Sequence, residues 1–150
     1  MRLLVQRVNH AQVSVDQKVI GHIQKGYLIY LGIHKNDTQA ICDQVAEKIK
    51  NLRIFADENE KLNLTLEQVK GDILLISQFT LYGTVKKHNR PSFTESAPYD
   101  VAYPLYEYLI AKLRETTKVE TGQFGAHMHV SLENDGPINI MIQVGEDISI

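Results

Sequence analysis

Apolar and polar positions recur with two periods along this chain, and each change of period marks an element. Ala11, Val13 and Val15 alternate with Gln12, Ser14 and Asp16, the period-2 pattern of a strand buried on one face. The span from Val5 to Ile33 reads as several short strands, punctuated by Gly21 and Gly26. Within it, Tyr27-Leu28-Ile29-Tyr30-Leu31 is a continuous apolar run suited to a buried strand. From Asp37 the period lengthens. Ile41, Val45, Ile49 and Leu52 fall on one face of a helix, with Asp37 as candidate N-cap. Asp57-Glu58-Asn59-Glu60 predicts a turn before Leu62-Asn63-Leu64, and residues 72–81 read as the central buried strand.

Residues 83–96 form the longest stretch without a period, and long loops in compact domains are often functional. A second helix carries Ala102, Leu105, Tyr106, Leu109, Ile110 and Leu113 at helical spacing. Pro98 suits its first turn, whereas Pro104 either kinks the helix or marks its true start. Tyr103, Tyr106 and Tyr108 have two uses at this spacing: a stacking platform for bases, or the more ordinary packing of core and rim. Two further strands are expected over residues 126–133 and 138–144, joined by a hairpin turn at Asp135-Gly136. The order strands, helix, strands, helix, strands predicts an α+β fold. Its sheet is mainly antiparallel and barrel-like, with two principal helices, in a single domain over residues 1–150.

Composition narrows the class. The apolar fraction of 43% and charged fraction of 23% are those of a globular protein with a real core. Cys42 is the lone cysteine, so there is no internal disulfide framework, which suits a reducing compartment. Its place in a helix beside Ile41 favours packing over a reactive thiol. No apolar run approaches the ~20 residues of a membrane span, and Met1-Arg2-Leu3-Leu4-Val5-Gln6 turns polar too soon for a signal peptide. The expected location is therefore the cytoplasm. A net charge of −2 argues against a protein that coats nucleic acid nonspecifically. A local basic surface remains open at Lys86, Lys87 and Arg90, either as a solvated loop or as a phosphate contact.

The familiar catalytic motifs are missing. There is no Gly-rich phosphate loop, no nucleophile elbow and no zinc-ribbon spacing. His127 and His129 lie two apart on an expected strand, so they share a side, with Glu133 farther along it. A polar outer face opposite Met128, Val130 and Leu132 explains them better than a metal does, since two imidazoles without a third ligand are weak evidence, and no metal or cofactor is expected. His10, His22, His34 and His88 are isolated and read as surface residues. Ser77 and Thr80 carry hydroxyls, but sequence places no base beside either. Where the strand through Ile73-Leu74-Leu75-Ile76 ends, N–H groups near Phe79 and Thr80 are either hydrated or available to stabilise an oxyanion.

Several segments resemble, in order and spacing, the D-aminoacyl-tRNA deacylases of the bacterial and eukaryotic type. They are Gln6-Arg7-Val8, Asn51-Leu52-Arg53-Ile54-Phe55, Ser77-Gln78-Phe79-Thr80-Leu81, Arg90-Pro91-Ser92-Phe93, Thr121-Gly122-Gln123-Phe124-Gly125-Ala126 and Asn134-Asp135-Gly136-Pro137. The resemblance covers nearly the whole chain. It implies hydrolysis of the ester joining a D-amino acid, or glycine, to the terminal adenosine of tRNA. It implies that Ser77 and Gln78 position adenosine and ester, that main chain at Phe79 and Thr80 holds the developing charge, and that the ribose 2′-OH helps position water. It implies a homodimer in which Gly136-Pro137, joined by a cis peptide bond, enters the partner's site and rejects L substrates. In the usual pattern a Thr follows Gly-Pro after one residue; here that position is Asn139, which keeps a polar group and loses the hydroxyl. Two other classes stay open: a noncatalytic nucleic-acid-binding module on the same scaffold, and a metal-dependent small-molecule hydrolase using His127 and His129.

Overall fold

The computed structural model describes residues 1–145. Strand β1 (Arg2–Val15) is the hub of a six-stranded sheet and pairs antiparallel with β2 (Lys18–Ile23), β3 (Gly26–Gly32) and β8 (His129–Gln143). β3 pairs in parallel with β6 (Asp72–Ser77), and β6 in parallel with β7 (Val119–Thr121). A separate hairpin, β4 (Arg53–Ala56) and β5 (Leu62–Thr65), turns at residues 57–60, where Asp57 accepts the N–H groups of Asn59 and Lys61. Helices α1 (Gln39–Asn51) and α2 (Tyr99–Arg114) pack on one face of the sheet.

The alternation along β6 explains the layers. Ile73 and Leu75 point to the helices, where Leu3, Val5, Tyr27, Val45, Ile49 and Leu109 meet them in the larger core. Leu74 and Ile76 point the other way, into a second core with Val8, Ala11, Val13, Ile23 and Leu28. A strand buried on both faces needs this unbroken apolar run. The second core is the interior of a nearly closed barrel. β2 and β7, the ends of the hydrogen-bonded path, meet at Gly21: a Cβ there would stand 2.6 Å from the Thr121 carbonyl oxygen. Only glycine permits that approach.

The expected fold class, α+β with a barrel-like sheet and two helices, is the one observed. Local expectations fail at particular residues. The central strand ends at Ser77, and Phe79–Tyr82 form a 3-10 turn. Thr38, not Asp37, caps α1 by accepting the Ile41 N–H. Asp37 turns inward to accept from the Met1 amine at 2.9 Å and the His34 N–H at 2.7 Å. Pro104 lies inside α2, in an exposed position. No hairpin forms at Asp135-Gly136. β8 runs through it as one strand, because β1 is long enough to pair with both halves. His34 is no surface residue but is 1% exposed. Cys42 is buried; burial and the nearby Asp37 and Asp43 carboxylates push its thiol up to about 12. It packs in the larger core.

Candidate active site

At the end of β6 the sheet opens into a cavity of about 420 Å³. Ser77, Gln78 and Phe79 form its floor, and Phe93, Tyr99 and Phe124 are among its walls. Ser77 lies opposite Leu31 of β3, and the Gln78 N–H donates to the Leu31 carbonyl at 2.7 Å, the last bond before the chain turns. The 3-10 turn then begins. Leu81 N–H donates to Gln78 O and Gly83 N–H to Thr80 O. Among the described residues the N–H groups of Phe79 and Thr80 meet no acceptor, as the first donors of a helical turn should. Two adjacent amides therefore remain available at the cavity floor and its edge.

Side chains hold this turn in place. Arg2, 2% exposed, donates from Nη1 to the Leu81 carbonyl at 3.0 Å, and its guanidinium lies 4.7 Å from the centre of the Tyr82 ring. Gln78 Nε2 donates to the Thr80 hydroxyl, so Thr80 is occupied with positioning its neighbour. Phe79 is 57% exposed and meets Phe93 edge-on at 5.0 Å. Among the described residues lining the cavity, Tyr99 is the one titratable side chain. Among the described residues no imidazole, carboxylate, amine or thiol lines the cavity to activate Ser77 as a nucleophile. The arrangement suits hydrogen-bond donation from fixed main chain, not acid–base chemistry by a side chain.

The loop over residues 83–96 reaches the cavity through Phe93 and Ser96. Its far end is anchored by His34. Asn36 N–H donates to His34 Nδ1, so Nε2 carries the proton and donates to Glu95 at 3.0 Å. That bond, and then Lys35, hold the Glu95 carboxyl below its usual range. Lys86, Lys87 and Arg90 are exposed on the same loop and outside the cavity lining.

Gly136 and Pro137 are not in the cavity. They form an exposed bulge of β8, where residues 135–138 stand opposite Arg7 alone. Their peptide bond is cis, and Gly136 has φ +122°, a conformation natural to glycine. Around the bulge, Asn134 Nδ2 donates to the Arg7 and Ile138 carbonyls, Arg7 Nε stands 3.1 Å from Asp135, and Arg7 Nη1 donates to Ile54 O. Asn139 accepts from Gln6 Nε2 at 3.0 Å, closing the bulge on its other side. The register puts the bulge roughly 13 Å along the strands and roughly 14 Å across three strand spacings from Ser77.

His127 and His129 are exposed, with ring centres 5.1 Å apart, while Met128, Val130 and Leu132 pack inward. Among the described residues no three His, Cys, Asp or Glu side chains converge as a metal site would require. Sequence reasoning from the residues missed the aromatic wall of Tyr99 and Phe124 and the buried Arg2 and Arg7. The one signal for the arginines was a charge at two positions flanking the apolar residues Leu3, Leu4, Val5 and Val8.

Known proteins resemble this chain over nearly its whole length. The family model described as D-Tyr-tRNA(Tyr) deacylase matches residues 4–143. A D-aminoacyl-tRNA deacylase of Thermosipho melanesiensis is 52% identical over 144 residues, covering 95% of this chain and 96% of that one. A solved structure described as c-Myc DNA Unwinding Element Binding Protein superposes with a TM-score of 0.92 at 37% identity, covering 97% of this chain and 100% of that one. A second, described as a probable eukaryotic D-amino acid tRNA deacylase, shares the fold with a TM-score of 0.83 at 18% identity, covering 95% of this chain and 98% of that one.

Proposed function

This chain belongs to the D-Tyr-tRNA(Tyr) deacylase family, and from that premise we propose that it hydrolyses the ester of D-aminoacyl-tRNA, releasing the D-amino acid and free tRNA. The observation that carries this reading is a pair of unsatisfied amides, Phe79 and Thr80, at a cavity whose one titratable lining side chain is Tyr99. An aminoacyl ester is already activated, so oriented water and an oxyanion site suffice for it. Water adds to the ester carbonyl, and the Phe79 and Thr80 N–H groups hold the oxygen as it gains charge. The carbon–oxygen bond to the ribose then breaks, and the ribose oxygen takes a proton. Ser77 and Gln78 hold the terminal adenosine and ester, and the neighbouring ribose hydroxyl orients the water.

Selection of the D hand is assigned to Gly136-Pro137. Within one chain the bulge is too far from Ser77 to touch a substrate there. It acts from a second copy, in a two-fold dimer whose bulges enter each other's cavities. A main-chain wall excludes an L side chain by sterics and leaves room for glycine, so glycyl-tRNA is also a substrate. Lys86, Lys87 and Arg90 take backbone phosphates near the acceptor end, and the enzyme works in the cytoplasm, where aminoacylated tRNA is found. Among the described residues no helix is long and apolar enough to cross a membrane.

A second reading has one observation in its favour. The solved structure at 37% identity is described as a DNA-element-binding protein. A module of that kind would retain tRNA or DNA and release no amino acid. Release of tyrosine from matched D- and L-tyrosyl-tRNA by the purified protein separates the two. Fast release from the D substrate alone is expected; tight binding of both without release would leave the binding module.

A further inference from the structure

A second groove, of about 530 Å³, adjoins the cavity along α2. Phe124 lines both. The partition between them is aromatic. Tyr99, 65% exposed on the cavity side, stacks on Tyr103 of the groove with ring centres 5.3 Å apart and 13° between planes. Phe124 meets both edge-on, at 5.5 and 5.4 Å. A strand of nucleic acid leaving the cavity over this ridge would find π-faces at successive positions.

The groove also carries polar groups suited to one base edge. Glu107 is exposed in it, and its carboxylate lies close enough to Tyr103 to hold that phenol up from its ordinary range. Arg114, seven residues farther along α2, is fixed by two bonds from Nε and Nη2 to the Val119 carbonyl, at 3.3 and 3.0 Å. Neither bond uses its Nη1. Tyr106 is 4% exposed and lines the groove; its hydroxyl lies against Thr121 and completes no hydrogen bond. A buried hydroxyl without a partner costs free energy unless a ligand supplies one.

We propose that this groove binds the cytidine preceding the terminal adenosine of tRNA, a subsite that rests on the deacylase reading and extends it by one nucleotide. The base stacks on an exposed ring face of the Tyr99–Tyr103 pair. Its 4-amino group donates to the Glu107 carboxylate, the contact a carboxylate makes with cytosine. Its ring nitrogen and 2-carbonyl accept from Arg114. Uracil presents a carbonyl where cytosine has the amino group and is repelled by Glu107. The groove thus registers the acceptor end so that the ester meets the Phe79 and Thr80 amides.

The test uses three substrates: D-tyrosyl esters of adenosine, of the dinucleotide CpA and of UpA. The wild-type protein is expected to cleave the CpA ester with kcat/KM about tenfold above the other two. Glu107→Gln should bring CpA and UpA to equal efficiency, because an amide accepts or donates, and should leave the adenosine ester unchanged. Ala111→Phe, which fills the groove from an exposed position, should lower CpA to the adenosine level. Equal wild-type efficiency on all three, or variants that lower all three alike, overturns the subsite while leaving a deacylase. Failure of the wild type to cleave even D-tyrosyl-tRNA overturns both readings.

Discussion

Strand β1 carries an arginine near each end of its pairing with β3, and the two serve opposite ends of the sheet. Arg2 is enclosed. It grips the Leu81 carbonyl, bonds Gln143 at 2.8 Å and lies against Tyr82, so the 3-10 turn is rigid within one chain. Arg7 is nearly as buried, but what it steadies is exposed: Asp135, Gly136 and Pro137. One end is a rigid floor where, among the described residues, the Phe79 and Thr80 N–H groups meet no acceptor. The other is a completed protrusion with nothing of its own chain to act on. A rigid protrusion remote from its own cavity supports the proposed dimer, in which each copy would finish the other's site.

The comparison breaks first if the floor is not the source of rate. Phe79→Pro removes one amide donor at the first position of a helical turn, where proline is tolerated. A fall in kcat of about 10²–10³ on D-tyrosyl-tRNA is expected, with Phe79→Ala as the control that removes the ring and keeps the donor. Thr80→Ala should retain substantial activity, since its N–H remains and only the bond from Gln78 is lost. A normally folded Thr80→Ala protein with no turnover, or a trapped acyl-enzyme, would return the chemistry to a side-chain nucleophile.

The division of labour between ends is sharpened by mixing. Pro137→Ala trims the protrusion and should reduce the ratio of D to L hydrolysis about tenfold, an effect of the size expected from one lost steric contact of 1–2 kcal/mol. Binding of tRNA should be unaffected. Phe79→Pro and Pro137→Ala, unfolded and refolded together, should lower L-tyrosyl-tRNA hydrolysis per working site to about half that of Pro137→Ala alone. Half the random dimers then hold one site with an intact floor and an intact protrusion. No fall would mean that the protrusion serves its own chain or none.

Smaller effects belong to the loop over the floor. Alanine at Lys86, Lys87 and Arg90 should weaken tRNA binding alike for every aminoacyl group and flatten its dependence on log salt by about 0.7–0.9 per contact. An unchanged slope in the triple variant would place the RNA elsewhere. Smallest is the anchor at Glu95. Its carboxyl is lowered in the folded protein, first by His34 and then by Lys35. The pair therefore stabilises fully above the unfolded carboxyl's value, about 4.3, and that stability is lost as pH falls through the lower folded value. Glu95→Gln should make the fall in Tm shallower between about pH 5 and pH 3, read by thermal melts across that window.

What could be read along the chain was whatever depends on near neighbours. Alternation at Ala11, Val13 and Val15, the apolar run Ile73–Ile76 and the helical spacing from Leu105 to Leu113 specify faces, and the faces are buried as expected. Ser77, Gln78 and Phe79 were legible as a polar break after that run. Their cavity was not, because Phe93, Tyr99 and Phe124 reach it from a loop, a helix and a turn far apart in sequence. His34 looked like an isolated surface residue for the same reason. Its ring meets its partners Glu95 and Tyr82 far away in sequence, Glu95 being 61 positions on. Asp135-Gly136 has the local chemistry of a hairpin, yet β1 supplies partners on both sides of it and keeps β8 continuous. Local pattern sets which face of each element turns inward; only the register between strands, fixed by the packing of the whole, sets which side chains meet.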